Sequence, residues 1–243
     1  MSVLKRAKPI KELGQRNLWV VYGRSGSGKT HFSSTFPKPA LYIQIGDDGS
    51  NTIQNVKGID AVSLNKPSEL KTLLEELQSE KRYATVIVDT FSLFVNDWIN
   101  ENVASKGKKM TLQNWGELKT ETEELVKYSH ILAGTKVVVL VCHENTNVIE
   151  GVEDEVLPEV RPSVSKGAMN FLEGMANFGI HCTVLSKTVI KDGKQKVLTK
   201  HVAHIGPNPY YWVKTQKSAK IVLPDIVANP SYEKIKKLLG GTE

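Results

Sequence analysis

Apolar residues along the chain alternate between short continuous runs and longer stretches with helical spacing. Short runs bounded by glycine, proline or charged residues are typical of buried strands. Stretches with apolar residues three and four positions apart predict amphipathic helices. Strands are predicted over residues 18–22, 40–45, 84–89, 136–141, 180–190, 195–205 and 210–214, and helices directly after the glycine-rich segment 23–30 and over residues 68–79, 91–103, 114–132, 166–176 and 231–239.

The order of these elements predicts an α/β fold. Strands that alternate with helices form parallel sheets with both faces covered. We therefore expect a mostly parallel, twisted sheet with helices on both faces. Asp192-Gly193 lies between two predicted strands and indicates an antiparallel β-hairpin near the C-terminus. Residues 145–166 show no periodic pattern and are predicted to be irregular.

The length of 243 residues fits one core with short additions at its ends. We predict a basic N-terminal segment over 1–17, a core over 18–225 that includes the hairpin 180–205, and a C-terminal helix within 226–243. No apolar stretch reaches the roughly 20 residues that span a membrane, and the first residues do not resemble a secretory signal. These features predict a cytoplasmic protein without a membrane partner.

The basic residues are mostly lysines, and they are clustered. The net charge is +6, and eight lysines but only one acid lie between Lys187 and Lys220. Such a cluster fits a polyanionic partner such as nucleic acid, and equally a solvated surface that aids solubility. The two cysteines, Cys142 and Cys182, lie inside apolar runs, which predicts buried thiols rather than a disulfide.

Residues 23–30 form a complete phosphate-loop motif directly after the first predicted strand. In this motif the backbone N–H groups surround phosphates, a lysine reaches the β- and γ-phosphates, and a hydroxyl holds Mg²⁺. Lys29 and Thr30 take these two roles here. The motif predicts that the chain binds ATP through Gly23, Arg24, Ser25, Gly26, Ser27, Gly28, Lys29 and Thr30.

Asp89 ends a buried apolar strand, where an aspartate can hold Mg²⁺ together with Thr30. An aspartate there can also cap the helix that begins at residue 91, and the two roles are compatible. The next residue is Thr90 rather than glutamate. This strand therefore lacks the general base that many ATPases carry beside the aspartate.

These motifs and their order resemble the RecA recombinase core. Residues 23–49, the strand end Val139 to Glu144, and Lys214 to Lys217 followed by Val222-Leu-Pro224 are similar to the short RecA-core ATPases that phages use for single-strand annealing. The resemblance spans residues 15–240 and implies a RecA-like phosphate-loop NTPase core.

The resemblance also implies the catalytic roles of three residues. Asp47 or Asp48 takes the place of the catalytic glutamate that activates water, although an Asp-Asp-Gly turn without a catalytic role is the alternative. His143 falls at the position that senses the γ-phosphate, the alternative being a structural histidine at a strand end. His201 and His204 are three apart in a predicted strand, which does not predict a metal site.

The remaining implied roles concern DNA and assembly. Two loops would hold single-stranded DNA, one through Lys106, Lys108 and Lys109, the other through Arg161 and Lys166. Acidic residues in the second loop oppose that role and suit a partner subunit instead. Lys214 and Lys217 match lysines that reach the triphosphate of a neighbouring subunit, although they can also be surface residues.

The combined expectation is a slow, DNA-dependent ATPase that binds single-stranded DNA and promotes annealing or recombination in a phage. It would act as a homo-oligomeric ring or filament, with a single-strand DNA-binding protein as an optional helper. Two alternatives stay open. One is a small-molecule kinase, against which the five scattered arginines argue. The other is an ATP-gated DNA-binding or packaging accessory with little turnover.

Overall fold

A nine-stranded sheet forms the centre of the molecule in the computed structural model. The structure describes residue 7 and residues 16–46, 49–150, 156–191, 194–217 and 220–240. The elements in chain order are β1 (Asn17–Tyr22), α1 (Lys29–Ser33), β2 (Ala40–Gln44), β3 (Ile59–Ser63), α2 (Ser68–Glu76), β4 (Thr85–Asp89), α3 (Phe94–Asn102), α4 (Leu112–Leu132), β5 (Val137–Cys142), β6 (Glu144–Glu150), β7 (Val156–Pro162), α5 (Lys166–Met175), β8 (Phe178–Lys191), β9 (Lys194–His204), β10 (Lys214–Thr215), β11 (Ile226–Ala228) and α6 (Tyr232–Leu238).

The strands of the main sheet follow the order β11-β9-β8-β1-β5-β4-β2-β3, and β10 pairs with β8. The pairs from β8 through β1 to β3 are all parallel, whereas the contacts of β8 with β9 and β10, and of β9 with β11, are antiparallel. The predicted α/β fold with a mostly parallel sheet and a hairpin near the C-terminus is confirmed. The turn residues Asp192 and Gly193 lie outside the described residues.

Strand β5 lies between β1 and β4, so three strand ends meet at one edge of the sheet. Tyr22 pairs with Cys142, and Val141 pairs with Asp89. The carboxyl ends of β1, β5 and β4 are therefore level. Because ligands of open α/β sheets bind outside the carboxyl ends of the strands, this register places the glycine-rich loop beside the predicted metal ligand.

Helices cover both faces of the sheet because alternate residues of β1 point to opposite sides. Leu18 and Val20 belong to a hydrophobic cluster with residues of α2, α3, α4 and α5. Trp19 and Val21 belong to a second cluster with residues of α1 and α6. Continuous apolar strands buried on both faces are expected for a parallel sheet. The predicted two-sided cover is confirmed.

The prediction that residues 145–166 are irregular is wrong for their described part, because β6 and β7 form an antiparallel two-stranded ribbon. The ribbon stands apart from the main sheet. Because the two strands pair with each other and not with the main sheet, neither is a continuous apolar run of the kind that marks the central strands. Helix α4 starts before the predicted residue 114, because Thr111 caps it and Asn114 completes the capping box at the third position.

Three short strands also differ from the prediction. β3 and β11 were not predicted, and β10 spans two residues where a longer strand at 210–214 was expected. Residues 226–240 contribute both β11, which pairs with β9, and α6, whose Ile235 is fully buried in the second cluster. Short edge strands depend on their neighbours more than on their own sequence.

Both cysteines are buried free thiols, as predicted. Burial raises the pKa of Cys182 to about 12 and raises the pKa of Cys142 as well. Neither thiol therefore ionises near neutral pH, which fits a packing role. In the described part of the chain, no helix combines the length and apolar character needed to cross a bilayer.

A testable prediction for stability concerns Asn177, which directly precedes β8 and hydrogen-bonds to β1. Its side-chain Oδ1 accepts a hydrogen bond from Leu18 N at 2.9 Å, and its Nδ2 donates to Gln216 Oε1 at 2.8 Å. Asn177→Ala leaves the buried Leu18 N–H without this acceptor, so we expect a loss of about 1–3 kcal/mol in the free energy of unfolding. Urea denaturation measures it, with the exposed Gln113→Ala as control. Equal stability of the two variants would contradict the prediction.

Candidate functional site

The loop between β1 and α1 is held close to β8 and β9. Gly23 (φ 153°) has no room for a side chain, because a Cβ there would lie 2.1 Å from the carbonyl oxygen of Cys182. Gly28 (φ 89°) lies against β9, since its Cβ would be 2.9 Å from His201 Nδ1. Both backbone conformations and both contacts therefore require glycine.

Lys29 is buried at the start of α1 and turns back over the loop. Its Nζ donates to the carbonyl oxygens of Gly23 at 3.0 Å and Arg24 at 2.8 Å. Burial lowers the pKa of Lys29, and the nearby Asp89 opposes that shift. The ammonium group is thus held inside the loop by neutral carbonyl groups. A phosphate is a stronger partner for this charge than a carbonyl oxygen.

Thr30 and Asp89 lie in direct contact at the carboxyl edge of the sheet. Thr30 Oγ1 donates to Asp89 Oδ2 at 2.7 Å, and Tyr42 Oη donates to the same oxygen at 3.0 Å. Thr90 Oγ1 donates to Asp89 Oδ1 at 2.8 Å. The alternative role of Asp89 as a helix cap has no support among the described residues, where Thr90 precedes the helical turn without a side-chain cap.

A cavity of about 440 Å³ brings these groups together with His143 and with residues after β2. The backbone N–H of His143 donates to Ser92 Oγ at 2.9 Å, which fixes the backbone after β5. Gly49 also lines the cavity, and a Cβ on it would lie 3.4 Å from both Asp89 Oδ2 and Thr30 Oγ1. Asp47 and Asp48 lie outside the described residues, so their role stays a prediction.

Glu144 joins the loop to β8. Its Oε1 accepts from Arg24 Nε at 3.0 Å, and its Oε2 lies 2.9 Å from His181 Nε2. The ring of His181 stacks on Tyr211 with centroids 4.0 Å apart. Burial lowers the pKa of His181, while the hydrogen bond to Glu144 opposes the shift. The sequence interpretation missed Glu144, His181 and His201.

The lysines predicted to act on a neighbouring subunit contact their own chain. Lys214 Nζ donates to the carbonyl oxygens of Glu173 at 2.5 Å and Gly174 at 3.4 Å, near the end of α5. Lys217 Nζ donates to the carbonyl oxygen of Ile221. Their action on another subunit stays a prediction, and it would require both side chains to leave these carbonyl groups.

The residues predicted to bind DNA lie in two places. Lys106, Lys108 and Lys109 are exposed between α3 and α4, and Lys166 is exposed at the start of α5. Arg161, in contrast, forms ion pairs with Glu159 and Glu173. Its charge is therefore balanced within the chain, which leaves the exposed lysines as the better candidates for phosphate contacts.

The comparison with protein-family models decides the class of the domain. A model described as an AAA domain matches residues 16–209, which is most of the chain. The chain belongs to the AAA domain family. This AAA protein is therefore a phosphate-loop, nucleotide-binding domain of ATPase type, a class that typically uses Mg²⁺. No curated protein matches it.

The residues of the AAA site fit ATP and Mg²⁺. Among the described residues, Ser27 Oγ is buried and has no hydrogen-bond partner, so the loop has hydrogen-bonding capacity to spare. Lys29 Nζ donates to the neutral carbonyl groups of Gly23 and Arg24. Thr30 and Asp89 offer adjacent oxygen atoms, the ligand type that Mg²⁺ prefers. Phosphate oxygens would accept hydrogen bonds from Ser27 and Lys29, and a cation would bind the oxygen atoms of Thr30 and Asp89.

We expect Lys29→Ala to weaken ATP binding at least tenfold, because it removes the buried cation from the loop. Asp89→Asn should keep ATP binding but reduce Mg²⁺-dependent turnover by a similar factor or more. Equilibrium nucleotide titration and phosphate release measure the two effects, and the exposed Lys57→Ala serves as control. Wild-type binding by Lys29→Ala would exclude this loop as the nucleotide site.

A second prediction concerns the pH dependence of stability. Burial lowers the pKa of His204 and neighbouring His181 lowers it further, while Asp225 opposes the shift. A histidine with a lowered pKa binds fewer protons in the folded state than in the unfolded state. The contribution of His204 to the free energy of unfolding is therefore fully present above about pH 6.5 and is lost as the pH falls from that value through its lowered pKa.

The variant His204→Phe tests this linkage, because it keeps an aromatic ring beside Tyr211 and removes the titrating group. We expect the melting temperature of His204→Phe to fall less than that of the wild type between pH 7 and pH 5. Parallel melting curves at several pH values provide the measurement. Identical pH slopes for the two proteins would show that His204 does not contribute.

Proposed function

We propose that this AAA protein hydrolyses ATP with Mg²⁺, binds single-stranded DNA and promotes annealing or recombination in a phage, acting as a homo-oligomer. One observation carries the ATPase part. Lys29, Thr30 and Asp89 line one cavity, with Thr30 Oγ1 and Asp89 Oδ2 2.7 Å apart. The DNA part rests on the resemblance to RecA-core annealing ATPases and on the exposed lysines.

Each residue of the site has a chemical task in this proposal. Lys29 provides positive charge to the β- and γ-phosphates, while Thr30 and Asp89 hold Mg²⁺. Bound Mg²⁺ neutralises charge that develops on the phosphate oxygens. Asp47 or Asp48 orients and activates the attacking water. His143 lines the cavity after β5 and is suited to hydrogen-bond the γ-phosphate.

Two exposed surfaces support binding of a single strand. The first is the loop that carries Lys106, Lys108 and Lys109. The second is the arm of the β8–β9 hairpin beyond Thr183, where Lys187 and Lys200 lie on one face, each opposite a leucine of the partner strand. Lysines give salt-dependent contacts to phosphates, and apolar side chains can contact bases. Both surfaces fit sequence-tolerant binding.

The cavity that an acceptor would use gives the kinase alternative little support. A cavity of about 510 Å³ lies at the carboxyl ends of β2 and β3. Its charged lining residues are Asp97, Glu101 and Lys66. Phosphoryl transfer to an anionic acceptor needs several cations around the moving group, and this lining is acidic instead. An ATP-gated accessory with little turnover fits if Asp47 and Asp48 are catalytically idle.

Assembly is proposed together with the role of Lys214 and Lys217. Either lysine would complete the nucleotide site of a neighbour by placing a cation on the γ-phosphate. To do so, both side chains would have to leave the backbone carbonyl groups that they contact within their own chain. A single-strand DNA-binding protein is an additional proposed partner.

The decisive experiment is the ATPase rate with and without single-stranded DNA, together with DNA affinity at several salt concentrations. Stimulation by DNA supports the proposal, whereas stimulation by a small acceptor supports a kinase. We expect the triple variant Lys106→Ala/Lys108→Ala/Lys109→Ala to reduce the slope of log affinity against log salt by up to about three units.

The hairpin variant Lys187→Ala/Lys200→Ala locates the second surface and should reduce the same slope by up to about two units. Lys57→Ala/Lys81→Ala, with two exposed lysines elsewhere, is the matched control. A wild-type slope in the triple variant but not in the hairpin variant would move the DNA path to the hairpin. Wild-type slopes in both would remove the DNA-binding proposal.

A further inference from the structure

We propose that His201 contacts bound ATP or ADP and couples nucleotide binding to the β8–β9 hairpin. The proposal starts from the place of His201 beside the phosphate loop. His201 belongs to β9, pairs with Val184 of β8 and lines the same 440 Å³ cavity as Lys29 and Asp89. The inference rests on the proposed nucleotide binding and adds a residue that neither the motif nor the family match assigns.

The contact between His201 and the loop fixes the chemistry of its ring. His201 Nδ1 lies 3.2 Å from the carbonyl oxygen of Ser27. A carbonyl oxygen can only accept, so Nδ1 carries the hydrogen in this contact. A phosphate oxygen can only accept, so the other ring nitrogen, Nε2, must also carry a hydrogen to meet it, and the ring contacts phosphate as the imidazolium. The side chain is exposed, so a ligand in the cavity can reach it.

The part of the nucleotide that His201 meets follows from its neighbours in the loop. The ring lies over Gly28 and beside Ser27. Loop N–H groups in this motif surround the α- and β-phosphates, whereas the lysine reaches the β- and γ-phosphates. His201 therefore contacts the α/β region, which ATP and ADP share. It reports whether the site is occupied and not whether hydrolysis has taken place.

The hairpin is tied to the phosphate loop through both of its strands. His201 of β9 contacts Ser27 directly, and His181 of β8 reaches Arg24 through Glu144. The arm beyond these two points carries exposed residues on both faces, including Val184, Leu185, Val197 and Leu198. A ligand that contacts His201 therefore holds the base of an arm whose outer part has little packing of its own.

The first experiment measures equilibrium binding of ADP and of a non-hydrolysable ATP analogue with Mg²⁺. His201→Phe keeps a flat ring over Gly28 but removes both nitrogens, and His201→Ala removes the ring. Thr199→Ala, two residues earlier on the same face of β9, is the matched control. We expect both His201 variants to lose affinity about 10- to 100-fold, by the same factor for the two nucleotides.

The second experiment measures hydrogen exchange of the hairpin amides at saturating nucleotide, so that a difference in affinity does not affect the result. In the wild type and in Thr199→Ala, we expect nucleotide to slow exchange over residues 197–204. In His201→Phe we expect this protection to be lost while exchange in α1 is still slowed. This separates coupling through His201 from simple occupancy of the loop.

Three results would overturn the inference: wild-type affinity in both His201 variants, loss of affinity for the ATP analogue alone, or full hairpin protection in His201→Phe. The failure of the proposed nucleotide site is a different result. In that case Lys29→Ala would bind nucleotide as the wild type does. If Lys29→Ala loses binding and His201→Phe keeps it, only the role of His201 is excluded.

Discussion

The pairing of β1 with β5 on one side and β8 on the other is the constraint on which the site depends. All residues of β1 after Asn17 are fully buried, so the strand has no freedom to shift its register. A shift by one residue would turn its Trp19 face into the opposite cluster. The loop that leaves β1 is therefore fixed at Gly23, against the carbonyl group of Cys182. Asp89 and His143 are placed by the same register, since β5 aligns with both β1 and β4.

Much of the fold and the centre of the site could be predicted from the sequence, for physical reasons. Strands buried on both faces are continuous apolar runs, so β1, β4 and β5 were recognisable without any partner. The phosphate loop is local, because its glycines, Lys29 and Thr30 follow one another in the chain. Asp89 was recognisable because it ends an apolar strand, and the structure places its carboxylate against Thr30.

The missed parts depend on contacts between distant segments. In the sequence, His201 is one of two histidines three apart in a predicted strand, and the pairing of β9 with β8, and of β8 with β1, brings it to Ser27. Knowing that β8 is the parallel neighbour of β1 would have indicated the register of Tyr22 with His181. The β6–β7 ribbon was missed for another reason. Its strands pair only with each other, so they are not the continuous apolar runs by which β1, β4 and β5 were recognised.

The two ties between the phosphate loop and the hairpin differ in strength, and burial decides which one matters. Arg24 is 85% exposed in its side chain, so its ion pair with Glu144 contributes at most about 1 kcal/mol in water. The bond from Glu144 to His181 is largely shielded, and His181 is also held by stacking on Tyr211. Glu144 is therefore held mainly by His181 of β8, and Arg24 can leave it at little cost. A ligand that draws Arg24 away would leave the β8 side intact, so the direct contact of His201 with the loop is the tie through which occupancy of the site can act on the hairpin.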